Sequence, residues 1–151
     1  MPSLRSATAV AALLFATTLT GCGSGTSTTA GAPAPDKLAD LTQVRDACMT
    51  ETADSLKTFT NKLTADQFYE LSADGKALRV ITPVPRENAV TRSEALSATK
   101  CVFREAHAPQ IVADRLGVPA DGEQNAAWTG FTATWESDNE LGYRARVMVT
   151  R

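Results

Sequence analysis

The hydrophobic positions change their period several times along this chain. The clearest pattern comes last. Phe131, Ala133 and Trp135 alternate with Gly130, Thr132 and Thr134, and then Tyr143, Ala145, Val147 and Val149 alternate with Arg144, Arg146, Met148 and Thr150. Successive side chains on a strand point to opposite faces. This is therefore a hairpin with one apolar and one wet face, and Ser137 to Gly142 form its turn. A second hairpin is predicted over Gln67 to Thr82. Phe68 to Leu71 and Ala77 to Thr82 flank Ala73-Asp74-Gly75-Lys76, where the Asp-Gly pair supplies the turn. Pro83 and Pro85 end its second strand.

Elsewhere the spacing is helical. Leu38, Leu41, Val44 and Cys48 recur at three, three and four residues, which predicts a helix from about Lys37 to Met49 capped by Asp36. Residues 50–65 stay ambiguous, because Leu56, Phe59 and Leu63 keep the helical spacing while many threonines weaken it. Thr91-Arg92-Ser93-Glu94 has the spacing of a capping box and predicts a second helix. Its inner side carries Leu96, Thr99, Val102, Phe103 and Ala106, with Cys101 at the margin. Pro109 opens a short third helix with Ile111, Val112 and Leu116 inward, capped at its C-terminus by Gly117. Gly122 to Asn125 read as polar loop. The fold class is α+β: a four-stranded antiparallel sheet of two hairpins on helices, in the order α-β-β-α-α-β-β, over residues 36–151.

The N-terminus has another character. Arg5 precedes an apolar run from Ala7 to Leu19, and Leu19-Thr20-Gly21-Cys22 reads as a lipobox. Residues 1–21 are then a lipoprotein signal peptide whose apolar run is too short to span a bilayer, and Cys22 is the lipidation site. Two or more acyl chains such as palmitate on Cys22 anchor a protein stably, at ~0.8 kcal/mol per buried methylene. Residues 22–35 form a tether of Gly, Ser, Thr, Ala and Pro that lacks the apolar surface to order itself. The expected location is the extracytoplasmic face of the cell membrane.

Composition narrows the partners. The chain has 15 Lys+Arg against 17 Asp+Glu, a net charge of −2, and losing the signal removes only Arg5. These charges are interspersed, so nucleic acid is not an expected partner. Of the three cysteines, acylation of Cys22 leaves Cys48 and Cys101, which an oxidising compartment would join as a disulfide.

Candidate chemistry is sparse. His107 is the sole histidine and reads as a surface or helix-capping residue without a matching nucleophile. Glu136, Asp138 and Glu140 cluster at a turn but lack the calcium-loop pattern. No metal, cofactor or catalytic residue is expected. Trp128 falls out of phase with Phe131 and Trp135, which places it on the outer face with Arg144 and Arg146 as a possible binding surface.

Ala113-Asp114-Arg115-Leu116-Gly117-Val118-Pro119 and Trp128-Thr129-Gly130-Phe131-Thr132-Ala133-Thr134-Trp135 carry a resemblance. With Tyr69-Glu70-Leu71 and Asp74-Gly75-Lys76, they resemble small lipoproteins and secreted proteins of actinobacteria over residues 45–150. Glu136 to Gly142 depart from the Tyr-His-Pro-Asp-x-Gly-Leu segment of that group. The helix end leading into antiparallel strands also resembles small outer-membrane assembly lipoproteins at the level of fold. Neither resemblance implies a catalytic residue. The expected function is a membrane-anchored module that binds an envelope protein or a small ligand. The alternatives are a cell-wall glycan hydrolase using scattered carboxylates and a secreted inhibitor of a hydrolase.

Overall fold

The computed structural model describes residues 39–59, 62–86, 88–138 and 140–150. The signal peptide, Cys22, the tether and the Asp36 cap lie outside the described residues. Helix α1 spans Leu41–Leu56, and a 3-10 turn at Ala65–Phe68 leads into β1 (Tyr69–Leu71) and β2 (Ala77–Val80). Helices α2 (Ala89–Glu105) and α3 (Gln110–Ala113) follow, then β3 (Gln124–Trp128), β4 (Phe131–Asp138) and β5 (Gly142–Val149). The strands form one antiparallel sheet in the order β1-β2-β5-β4-β3, with the helices on one face.

The α+β class stands, but the sheet has five strands rather than four. The added strand, β3, pairs with β4 through a two-residue connection, Thr129-Gly130, with Gly130 at φ +79°. Gln124, Asn125 and Ala127 hide it from a hydropathy reading. Its inward positions are Gln124, Ala126 and Trp128, each only half-buried, because an edge strand covers less of the core.

Helix boundaries also shift. Asp40 caps α1 by accepting from the Thr42 amide at 2.9 Å, and the helix runs on through the ambiguous segment to Leu56. Its threonines are accommodated because Thr52 turns inward to a buried partner, the Tyr69 hydroxyl, at 2.8 Å. Asn88, not Thr91, caps α2. The Thr91 hydroxyl instead donates to the Pro85 and Asn88 carbonyls, both at 2.8 Å, and Glu94 accepts from Ser55 on α1 at 3.0 Å. Cys101 lies fully inside rather than at a margin. Ile111 is 76% exposed, against expectation, because α3 is a single turn that buries only Val112, with Leu116 following it inward.

The core lies between sheet and helices. Leu41, Val44 and Cys48 of α1 and Ala98, Val102 and Phe103 of α2 meet Leu78, Val80, Phe131, Ala133, Trp135 and Val147. Cys48 and Cys101 form a disulfide between α1 and α2, with Cα atoms 5.7 Å apart. Closing a loop of this size contributes ~4 kcal/mol in the chain-entropy account. Among the described residues, no helix is long and apolar enough to cross a membrane.

Candidate functional site

The face of the sheet turned away from the helices is polar, and the register fixes what stands on it. One row across the strands reads Glu70, Arg79, Arg146, Thr134 and Asn125. The next row along places Arg144 opposite Glu136. Alternation on β5 puts Arg144 and Arg146 on this same face, about 7 Å apart along the strand. Arg79, Thr134, Glu136, Arg144 and Arg146, with Ile81 and Glu123, line an open groove of about 440 Å³.

Charge within the groove is unevenly matched. Arg79 and Arg146 are directly opposite each other, an arrangement that costs stability because like charges repel across a ladder. Arg79 turns to Glu70 at the sheet's edge, at 2.9 Å. Arg144 donates to Glu136 through Nη2, while its Nε is buried with no hydrogen-bond acceptor among the described residues. The Arg146 guanidinium has no ion-pair or hydrogen-bond partner among the described residues. Among the described residues the groove therefore holds one unpaired cation, Arg146, and one unpaired carboxylate, Glu123, beside a second guanidinium with an unused donor.

Trp128 does not share this face. It is the register partner of Phe131 and lies on the core side. Its ring centroid is 5.4 Å from that of Phe103 and 5.8 Å from that of Phe131. Its Nε1 donates to the Ala106 carbonyl at 2.8 Å, satisfying a free acceptor at the end of α2. A surface joining Trp128 to Arg144 and Arg146 is thus ruled out, since the sheet stands between them. The apparent phase error at Trp128 came from counting through the turn: Thr129 and Gly130 reset the alternation.

The two segments that carry the resemblance meet in space. Arg115 donates to the Asn125 carbonyl and to Gln124 Oε1, both at 3.2 Å, and its guanidinium stands 5.0 Å from the Trp135 ring centroid. It covers an outward carbonyl of the edge strand β3 and limits further strand pairing there.

The remaining candidates are structural. His107 is exposed at φ +55°, just past the end of α2, and the Ala108 amide reaches back to the Phe103 carbonyl at 2.9 Å. This is a left-handed helix ending at the position glycine favours. Asp138 accepts from the Glu140 and Leu141 amides, both at 2.7 Å, which holds its carboxyl below the ordinary value. Its Oδ1 organises the β4–β5 turn. Among the described residues, no three His, Cys, Asp or Glu are grouped to hold a metal ion. No known protein family, no curated protein and no solved structure matches this chain.

Proposed function

We propose that this protein is a lipid-anchored envelope module, held through Cys22, that acts by binding at the outer face of its sheet. One observation carries the reading: the helices and the disulfide occupy one face and leave the other open. On that open face the groove keeps Arg146 without a partner among the described residues. Two arginines set opposite each other on an open face cost stability and contribute nothing to the core, which is the usual trade at a site kept for a ligand.

The hydrolase alternative has less support. A glycan hydrolase needs a general acid whose pKa is raised. Asp74 and Asp138 are both pulled down by turn hydrogen bonds, to Ser72 and to the Leu141 amide first. Glu136 in the groove is engaged by Arg144.

Two measurements test the proposal. Mass spectrometry of the mature protein should find an acylated Cys22 at the N-terminus, and an unmodified or differently placed N-terminus refutes the anchor. A photocrosslinker at Asn125, on the groove face, should trap a discrete product in the native membrane that Arg146→Glu abolishes. The same probe at Asp54 on α1 should trap none. Equal products from both faces, or none from Asn125, would refute the binding role of the groove.

A further inference from the structure

The same tripeptide occurs twice in this chain, as Ala73-Asp74-Gly75 and as Ala120-Asp121-Gly122, and the fold treats the two copies differently. In the β1–β2 turn, Asp74 Oδ1 accepts from the Ser72 hydroxyl at 2.6 Å and from the Lys76 amide at 3.1 Å. The Gly75 amide donates to the Ser72 carbonyl at 2.9 Å. The Ser72 hydroxyl first, then the Lys76 amide, hold the Asp74 carboxyl below its ordinary value. Asp121 and Gly122 are both exposed and lie outside any helix or strand, in the connection from α3 to β3. Among the described residues, the Asp121 carboxyl has no hydrogen-bond or ion-pair partner, and the Gly122 amide has no acceptor. Apart from its chain neighbours, no heavy atom lies within 4 Å of where a Cβ on Gly122 would stand.

We infer that Asp121-Gly122 is a site of spontaneous backbone modification, where aspartate isomerises to isoaspartate, and that the fold protects Asp74-Gly75 from the same reaction. The Gly122 amide nitrogen attacks Cγ of the uncharged Asp121 carboxyl and gives up its proton to water. An N–Cγ bond forms, the hydroxyl of the acid leaves as water, and a five-membered succinimide ring results. Water then adds to one ring carbonyl and breaks that carbon's bond to the Gly122 nitrogen. Opening at Cγ restores aspartate. Opening at the main-chain carbonyl carbon of Asp121 leaves the chain running through Cβ and Cγ, as isoaspartate. Water is lost and regained, and no other reactant is consumed. The ring closes only if the following residue lets its nitrogen come close, its amide is free, and the carboxyl can rotate onto it. Asp121 and Gly122 meet all three conditions, since a glycine puts no side chain in the way. In the first copy, the Gly75 amide and the Asp74 carboxyl are both engaged, and hydrogen bonds that favour the charged carboxylate deplete the acid form that loses water. Isomerisation lengthens the α3–β3 connection by a main-chain carbon just ahead of Glu123 and the edge strand. Nothing in this step depends on the binding role proposed above.

The purified full chain, with its disulfide intact, is aged at neutral pH for several weeks and digested with trypsin. Cleavage after Lys62, Lys76, Arg115 and Arg144 puts the two sites on different peptides. Electron-transfer fragmentation places isoaspartate within each. Isoaspartate at position 121 should exceed that at position 74 by roughly tenfold, the factor that one or two hydrogen bonds of ordinary strength supply. Ageing in urea should bring the two sites to similar amounts, because the local sequence is the same at both. Ser72→Ala frees the Asp74 carboxyl from its shortest contact and should raise isoaspartate at position 74 severalfold, with position 121 unchanged. Equal amounts at the two sites in the folded protein would overturn the inference. So would a tenfold preference for position 121 that persists in urea, since the difference would then lie outside the fold.

Discussion

The Thr82 hydroxyl is bound to both backbone groups of Tyr143: it accepts from the amide at 2.7 Å and donates to the carbonyl at 2.9 Å. Val80 pairs with Ala145, so Thr82 lies opposite Tyr143 in the same register, two residues further along. Pro83 turns the chain away there and has no N–H to give. The side chain takes over the ladder where the main chain leaves it. Next to this pair, Gly142 sits at φ +75°, and a Cβ on it would stand 2.7 Å from Thr82 Cβ. Gly142→Ala should therefore destabilise the domain by ~2–4 kcal/mol, combining left-handed strain with overpacking. Thr82→Val keeps the shape but leaves the buried Tyr143 amide unpaired, at a cost of ~1–3 kcal/mol. Urea unfolding of both variants would measure this; a Gly142→Ala variant as stable as the parent would contradict the close approach.

The two tyrosines should respond in opposite ways to loss of their hydroxyls. Tyr69 OH is bound to Thr52 Oγ1 at 2.8 Å and to the Cys48 carbonyl at 3.2 Å, whereas Tyr143 OH is buried without a partner among the described residues. Tyr69→Phe should cost ~1–2 kcal/mol, and Tyr143→Phe should be neutral or stabilising. Chemical denaturation of the single variants at neutral pH distinguishes them.

Alkaline stability follows from the same rings. Burial pushes the Tyr69 phenol up to about 12 from its ordinary value of 10.0, and pushes Tyr143 up as well. A group whose folded pKa is raised keeps its full contribution below the unfolded value. That contribution is lost as pH climbs toward the folded one. Unfolding midpoints should hold up to about pH 10 and fall steeply above it, and the fall should flatten in the double Phe variant. Tyrosinate absorbance appearing well before loss of near-UV circular dichroism would contradict this.

Trp128 should act as a clamp between β3 and α2. Trp128→Ala removes a half-buried ring and its bond to Ala106, an expected loss of ~2 kcal/mol, below the 3–5 kcal/mol of a fully buried ring. Trp128→Phe should retain most of the packing and lose ~1 kcal/mol for the hydrogen bond. Hydrogen exchange should show early opening of 124–128 in Trp128→Ala with the disulfide region still protected; uniform loss of protection would argue against a local clamp.

His107 holds a conformation that costs a side chain energy. His107→Gly should stabilise the protein by ~0.5–1 kcal/mol, the gain from relieving a left-handed residue less the entropy of the freer glycine. A rise in thermal midpoint is the readout, and a fall would show that the imidazole makes a compensating contact.

Much of this domain was legible in its residues. Asp74-Gly75 announced the first hairpin, the alternation from Phe131 to Val149 announced the second, and Cys48 and Cys101 pair with each other as expected. What misled was of two kinds. Capping depends on which side chain can reach back, and Asp40 and Asn88 stood nearer the helix starts than the residues whose spacing looked right. An edge strand of Gln, Asn and Ala carries almost no hydropathy signal; Thr129-Gly130 between two aromatic residues was the clue to it. The candidate groove was half visible. Arg144 and Arg146 were readable on one wet face of β5, but Arg79 joins them only through the pairing of β2 with β5, which links distant parts of the chain.

That pairing has a consequence for how the protein comes into being. β5 follows every other strand along the chain, yet it takes the middle place in the sheet, with two strands on either side. Nascent chain emerging from the ribosome can form each early hairpin only as an isolated and marginal unit. The keystone arrives last, so the two halves of the sheet can join only once β5 is available.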